Sequence, residues 1–178
     1  MVETGAFGNT SSGSPQPASN QQFIAAPLDP PLGTAETQVD ERGRIRIPAD
    51  FARFLHRLDS DFFVTSLDTR VLHIFGRHNW LERGRLLQNQ SGEVAAAAQD
   101  ILFIANHYGA SATMDGQFRM LLPERLREKL SLKGTTVWLQ AAGDRLNGYT
   151  HAAYQERLVK AEENVTEKAA RLAALGLI

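Results

Sequence analysis

Val39-Asp40-Glu41-Arg42-Gly43-Arg44-Ile45-Arg46-Ile47-Pro48-Ala49-Asp50-Phe51-Ala52-Arg53-Phe54-Leu55 recurs 75 residues further on as Met114-Asp115-Gly116-Gln117-Phe118-Arg119-Met120-Leu121-Leu122-Pro123-Glu124-Arg125-Leu126-Arg127-Glu128-Lys129-Leu130. Asp, Arg, Pro and the closing Leu coincide, and apolar side chains coincide at the positions of Val39, Ile45, Ile47 and Phe51. Each copy reads in one physical order. Ile45 and Ile47, or Met120 and Leu122, alternate with their neighbours as in a half-buried strand. Pro48 or Pro123 then suits the first turn of a short helix, where a missing N–H leaves nothing unsatisfied. That helix buries Phe51 and Leu55, or Leu126 and Leu130, at i,i+4 spacing.

Working outward, two more apolar segments follow in each half: Phe62-Phe63-Val64 with Val71 to Phe75, and Val137-Trp138-Leu139 with Leu146 to Tyr149. The turn formers Asp68-Thr69 and Gly143-Asp144 between them make each pair a hairpin. Each copy is therefore strand, strand, short helix, strand, strand, helix, and such repeats set the architecture. Between the copies, Glu93 to Tyr108 places Val94, Ala97, Ala98, Ile101, Ile104, Ala105 and Tyr108 on one helical face, with Gly109 as the stop. From His151 to Leu175 the spacing predicts a last helix, whose Leu158, Val165 and Leu172 recur every seven residues as a seam for a partner helix.

Residues 1–34 hold five of the seven prolines, four glycines and only two charges, Glu3 and Asp29. Such a stretch buries too little apolar surface to offset its ordering entropy and is expected to be a disordered tail. The remainder is long enough for a real core, at 43% hydrophobic residues over the 178-residue chain. A formal charge of -1 names no partner. The absence of cysteine removes disulfides, thiolate nucleophiles and Cys-based metal sites. No apolar run reaches the roughly 20 residues of a membrane span, and the first cation is Arg42, so no secretion signal is read and a cytoplasmic location is expected.

Against that near-neutral background, Arg42 to Arg57 carries five Arg and one acid, Asp50, a local charge of +4; Arg119 to Lys133 carries five cations and two acids, a local +3. Arg rather than Lys is the choice where a planar fork grips phosphate or the O6/N7 edge of guanine. Taken singly, an Asp with an Arg four residues later is a surface ion pair worth roughly 0 to 1 kcal/mol. Packing requires the apolar positions to repeat, but it does not require Asp and Arg to repeat with them. Asp40 and Asp115 each stand beside arginine on an exposed turn, which argues against a shared-proton acid/base pair. The five histidines show no metal-ligand spacing. No cofactor, catalytic constellation or small-molecule substrate is read, and Trp80, Trp138, Phe62, Phe63 and Phe75 are assigned to the core in preference to a base-stacking platform.

The duplicated Asp-x-x-x-Arg element, followed by apolar-x-apolar-Pro and a short helix, resembles the MraZ family of bacterial transcriptional regulators over about residues 33 to 160. The resemblance implies an α+β fold of two tandem swapped-hairpin modules of the SpoVT/AbrB type, forming a pseudo-two-fold barrel with flanking helices. The corresponding division is a tail over 1–34, modules over 35–90 and 109–155, a connecting helix over 91–108 and a C-terminal helix over 156–178. It also implies ring-like homo-oligomers on the nucleoid that bind double-stranded DNA at repeated operator boxes and repress the division and cell-wall gene cluster.

Carried over residue by residue, the family motif falls on Asp40 and Arg44 and again on Asp115 and Arg119. Gly43 keeps the glycine that commonly precedes the arginine; Phe118 does not, so the second turn is expected to form less readily. Arg44 is read as the base reader, Arg42 and Arg46 as phosphate or base contacts, and Asp40 as a brace. The rival reading is a non-catalytic assembly or adaptor module, which gives no reason for the arginine excess.

Overall fold

In the first copy, the computed structural model, which describes residues 29–178, places β1 at Thr34–Gln38, β2 at Arg44–Arg46, α1 at Ala49–Leu58, β3 at Phe62–Thr65, β4 at Val71–Gly76 and α2 at Arg77–Gln88. After α3 (Glu93–Tyr108) come β5 (Ala110–Ala112), β6 (Arg119–Leu121), α4 (Glu124–Lys129), β7 (Thr136–Ala142), β8 (Arg145–Thr150) and α5 (His151–Glu162), with α6 (Val165–Ala174) last. The strand and helix order read from the repeat is thus present twice. The expected disordered tail lies, over residues 1–28, outside the described residues.

The copies do not fold side by side. They interleave. An antiparallel six-stranded sheet runs β1-β7-β8-β4-β3-β5, and β2 pairs with β6 in a separate ribbon. The first strand of each copy therefore pairs with the third strand of the other, in one register: Glu36 faces Trp138, and their equivalents 75 positions away, Ser111 and Phe63, face each other. Two pairs are their own equivalents and mark the pseudo-two-fold axis. Ile45 faces Met120 at an offset of 75, and His73 faces Asn147 at 74, after the tighter turn of the second hairpin. These strands do not make one closed barrel, since the six-stranded sheet ends at β1 and β5 and the ribbon touches it through the Val39–Ile45 and Met114–Met120 bridges.

One core serves both copies. Ile45, Ile47, Phe54 and Leu55 from the first pack with Met120, Leu122, Leu126 and Leu139 from the second, all fully buried. Where the sequence put aromatics in the interior, Phe62, Phe75 and Trp80 are buried, and Phe63 stacks on Trp80 at 4.7 Å. Phe75 and Trp80 form with Ala105 of α3 a second, smaller buried cluster beside that core, and the Ala105 carbonyl accepts from the buried Thr65 hydroxyl at 2.7 Å. The predicted α3 face needs correction at its start: Ala98 and Ala105 are buried, but Val94 and Ala97 are exposed. In place of one last helix there are two. Asn164, at φ +54°, takes the left-handed conformation that asparagine tolerates and divides the helix between Leu158 and Val165; Leu158, Val165 and Leu172 are exposed.

His73 and Asn147 are buried polar residues on the axis, and His73 Nδ1 has no hydrogen-bond partner among the described residues. Burial, then the nearby Arg145 charge, lowers the His73 pKa from 6.5 to about 4, with Asp68 opposing. A neutral folded-state histidine contributes stability that is complete above its unfolded pKa and is lost as pH falls through the folded value. Unfolding free energy is therefore expected to fall by about 3 kcal/mol between pH 6.5 and 4. In urea titrations at a series of pH values, His73→Asn, matching Asn147, flattens that segment. Asp59, whose carboxyl the His78 backbone N–H holds below its usual range, and Asp68, which against the cost of its burial is held down by the Arg70 and Val71 N–H groups, add a loss that begins at about pH 5 and grows as the pH falls further.

Candidate nucleic-acid interface

The first turn is built by Asp40. Its backbone N–H donates to the Arg44 carbonyl at 2.9 Å, and its own carbonyl accepts from Gly43 N–H at 2.8 Å. Its carboxylate then accepts from the Arg44 backbone N–H (Oδ1, 2.8 Å) and from Arg44 Nε (Oδ2, 2.8 Å), with Nη2 also 2.8 Å from Oδ2. One carboxylate thus closes the turn and fixes the guanidinium of the residue that follows it. The second turn repeats this arrangement. Asp115 accepts from Arg119 N–H and Nε at 2.9 Å each, and also from Gln117 N–H at 2.9 Å. The backbone N–H of the following arginine is the main cause holding each carboxyl below its usual pKa range. Both acids stay ionised beside their arginines, which fits braces and not a proton-sharing pair.

Phe118 adopts the left-handed conformation after all, at φ +59° against +77° for Gly43. Outside glycine that conformation costs about 1 to 2 kcal/mol. The two turns differ instead in what fills the space beside them. A Cβ on Gly43 would come within 2.1 Å of Arg127 Nη1, because Arg127 lies over the first turn and donates to the Arg42 carbonyl at 3.2 Å. The equivalent pair in the other turn is Phe118 and Ala52, in which the large residue has moved from the helix to the turn.

Pairing of β2 with β6 brings the turns' arginines together. Arg44 faces Leu121 and Arg46 faces Arg119, while Ile45 and Met120 between them point into the core. Alternation therefore sets Arg44, Arg46, Arg119 and Leu121 on one outer face. The ribbon is extended by two equivalent bonds, Ile47 N–H to the Phe118 carbonyl at 2.7 Å and Leu122 N–H to the Gly43 carbonyl at 3.0 Å. Arg44 and Arg119 are 31% and 33% exposed, so both turns offer a partly accessible, pre-oriented guanidinium. Among the described residues Arg42 and Arg46 are exposed and have no ion-pair partner.

Not all of the sequence-level charge excess belongs to this face. Arg53 pairs with Asp50, Arg57 donates to the Asp29 carbonyl at 2.8 Å, and Arg127 is turned onto the first turn. What sequence reasoning missed is the juxtaposition of Arg46 with Arg119 and the place of Leu121; the 75-residue offset was its only trace, since self-equivalent strands meet at a pseudo-two-fold axis. Among the described residues no three His, Asp or Glu gather in a metal-binding group, and no helix is long and apolar enough to cross a membrane.

Two interleaved copies of one unit, with Asp-braced arginine turns brought onto a shared ribbon, define a class of protein: a duplicated module that displays cations from a rigid sheet. A family model described as "MraZ protein, putative antitoxin-like" matches residues 109–175. The transcriptional regulator MraZ of Acidobacterium capsulatum is 38% identical over 106 residues, covering 59% of this chain and 72% of that protein. The Koribacter versatilis protein of the same name is 32% identical over 104 residues (57% and 70%), and that of Desulforamulus reducens 29% over 136 (70% and 92%). The chain belongs to the MraZ family.

Proposed function

We propose that the chain is a non-enzymatic transcriptional regulator that binds double-stranded DNA sequence-specifically through the β2–β6 ribbon. Arg44 reads a guanine edge, Arg42 and Arg46 hold phosphates, Arg119 repeats the contact from the second turn, and Asp40 and Asp115 are braces. The observation that carries this reading is the outer face of one ribbon bearing Arg44, Arg46 and Arg119, since a two-stranded ribbon fits the major groove. Arg46 directly opposite Arg119 is also a like-charge pair, which destabilises a bare sheet and is relieved by a phosphate between them. The names of the relatives support the regulatory role.

The interleaved, pseudo-two-fold strand pairing supports two tandem swapped-hairpin modules, over 35–90 and 109–155, sharing one core. Exposed Phe103, Val165, Leu172 and Leu175 support self-association into a homo-oligomer, for which a ring is the proposed form. Several ribbons in one assembly would engage repeated operator boxes, raising avidity by about 10² to 10⁴ with no new contact. Repression of the division and cell-wall gene cluster, in a cytoplasmic nucleoid-associated assembly, is proposed on the resemblance to the MraZ family.

The test is fluorescence anisotropy on genomic fragments selected by the protein, at a series of salt concentrations. The two phosphate contacts of Arg42 and Arg46 give a log–log salt slope of about −2 per ribbon on a single-box fragment. A slope near zero, or no selection of fragments above a random pool, counts against the proposal.

A further inference from the structure

Leu121 is 57% exposed and stands directly across the ribbon from Arg44, on the outer face that otherwise carries Arg44, Arg46 and Arg119. An exposed leucine is ordinary by itself. Its position is not, because the residue equivalent to it at the 75-residue offset is Arg46. One end of a pseudo-symmetric cationic face has therefore exchanged a guanidinium for an isobutyl group. That side chain can neither neutralise phosphate nor hydrogen-bond a base edge.

We propose that Leu121 is a specificity-determining residue that contacts the C5-methyl group of a thymine close to the guanine taken by Arg44; this rests on the DNA-binding reading above. Thymine presents the one methyl group of the four bases in the major groove, and apolar side chains read it. Directly opposed residues in an antiparallel pair have Cα atoms about 4.5 to 5.5 Å apart, and base pairs follow one another about every 3.4 Å. The thymine therefore lies within about two base steps of the guanine. The consequence is an asymmetric box read by a nearly symmetric ribbon, with cation-favouring contacts at the Arg46 end and a methyl contact at the Leu121 end.

The experiment uses the full chain and a single-box duplex that the wild-type protein has selected from a random library. Each thymidine is replaced in turn by deoxyuridine, which removes the methyl group and keeps base pairing. At one position the wild-type protein is expected to bind about fourfold more weakly, the loss for one buried methyl group. Leu121→Ala is expected to bind the thymidine and deoxyuridine duplexes alike, and the deoxyuridine duplex no more weakly than wild type does. Indifference of the wild type to deoxyuridine at every position, with binding still dependent on Arg44, overturns the Leu121 assignment alone. Retained discrimination by Leu121→Ala overturns it as well. Failure of the wild type to select any duplex overturns both this assignment and the DNA-binding reading.

Discussion

Arg44→Ala is expected to abolish specific DNA binding while leaving the assembly's size and thermal unfolding near those of the wild type. A bidentate arginine–guanine pair contributes about 1 to 3 kcal/mol of discrimination per contact. In a multivalent complex these losses combine, so a weakening of at least about 100-fold is expected on a multi-box operator. The fold should tolerate the change because Asp40 Oδ1 accepts from the Arg44 backbone N–H, a bond that alanine retains, and because the Ile45 core contact beside it is untouched. Gel shift on a selected operator, sedimentation velocity and a melting curve separate the three quantities. Operator binding at wild-type strength by this variant would remove Arg44 from the reading role. A collapse of oligomer and fold would instead make the Asp40–Arg44 clamp structural.

Much of this fold was legible because it is written twice. The alternation at Ile45 and Ile47, the proline after it and the i,i+4 pair in the following helix each depend on neighbours within about ten residues, and the offset of 75 confirmed one copy with the other. The strand pairing was not legible in that way. Pairing of β1 with β7, or Arg46 with Arg119, joins residues roughly 75 to 100 positions apart, and nothing in either strand names its partner. The single C-terminal helix was misread for a related reason: heptad spacing at Leu158, Val165 and Leu172 is blind to the backbone conformation of Asn164 between them. Phe118 was read by its usual preference, yet the hydrogen bonds to Asp115 and to Ile47 hold it where glycine would be easier. At the site, the braced Asp–Arg turns were readable as a motif. The split of the arginines into free and engaged was not, because Asp50 and the Asp29 and Arg42 carbonyls take three of them through contacts set by the fold.

Separated halves are expected to lose their structure. Residues 29–108 on their own would keep the β3–β4 hairpin, but β1, β2 and β4 would lose their partners in the second copy, and a lone hairpin is marginal in water. Eight core residues would be missing: Met120, Leu122, Leu126, Leu130, Leu132, Val137, Leu139 and Leu146. At about 1.5 to 3 kcal/mol for each buried side chain, that loss is about 12 to 24 kcal/mol, at least as large as the whole stability of an ordinary domain. Self-pairing about the pseudo-axis is the obvious escape, since Ile45 and His73 already sit on it. The packing argues that it is a poor one. A first copy paired with itself sets Gly43 against Ala52 and leaves a gap, and it brings two buried His73 side chains face to face in place of His73 and Asn147. A second copy paired with itself sets Phe118 against Arg127, two large groups in the space of one. Only the mixed pair matches small with large in both turns. Circular dichroism and size-exclusion chromatography of residues 29–108, residues 109–178 and their equimolar mixture test this. Strand signal and a one-to-one complex should appear in the mixture at concentrations where neither half is folded, whereas a folded monomer of either half would show that the interleaved core is dispensable.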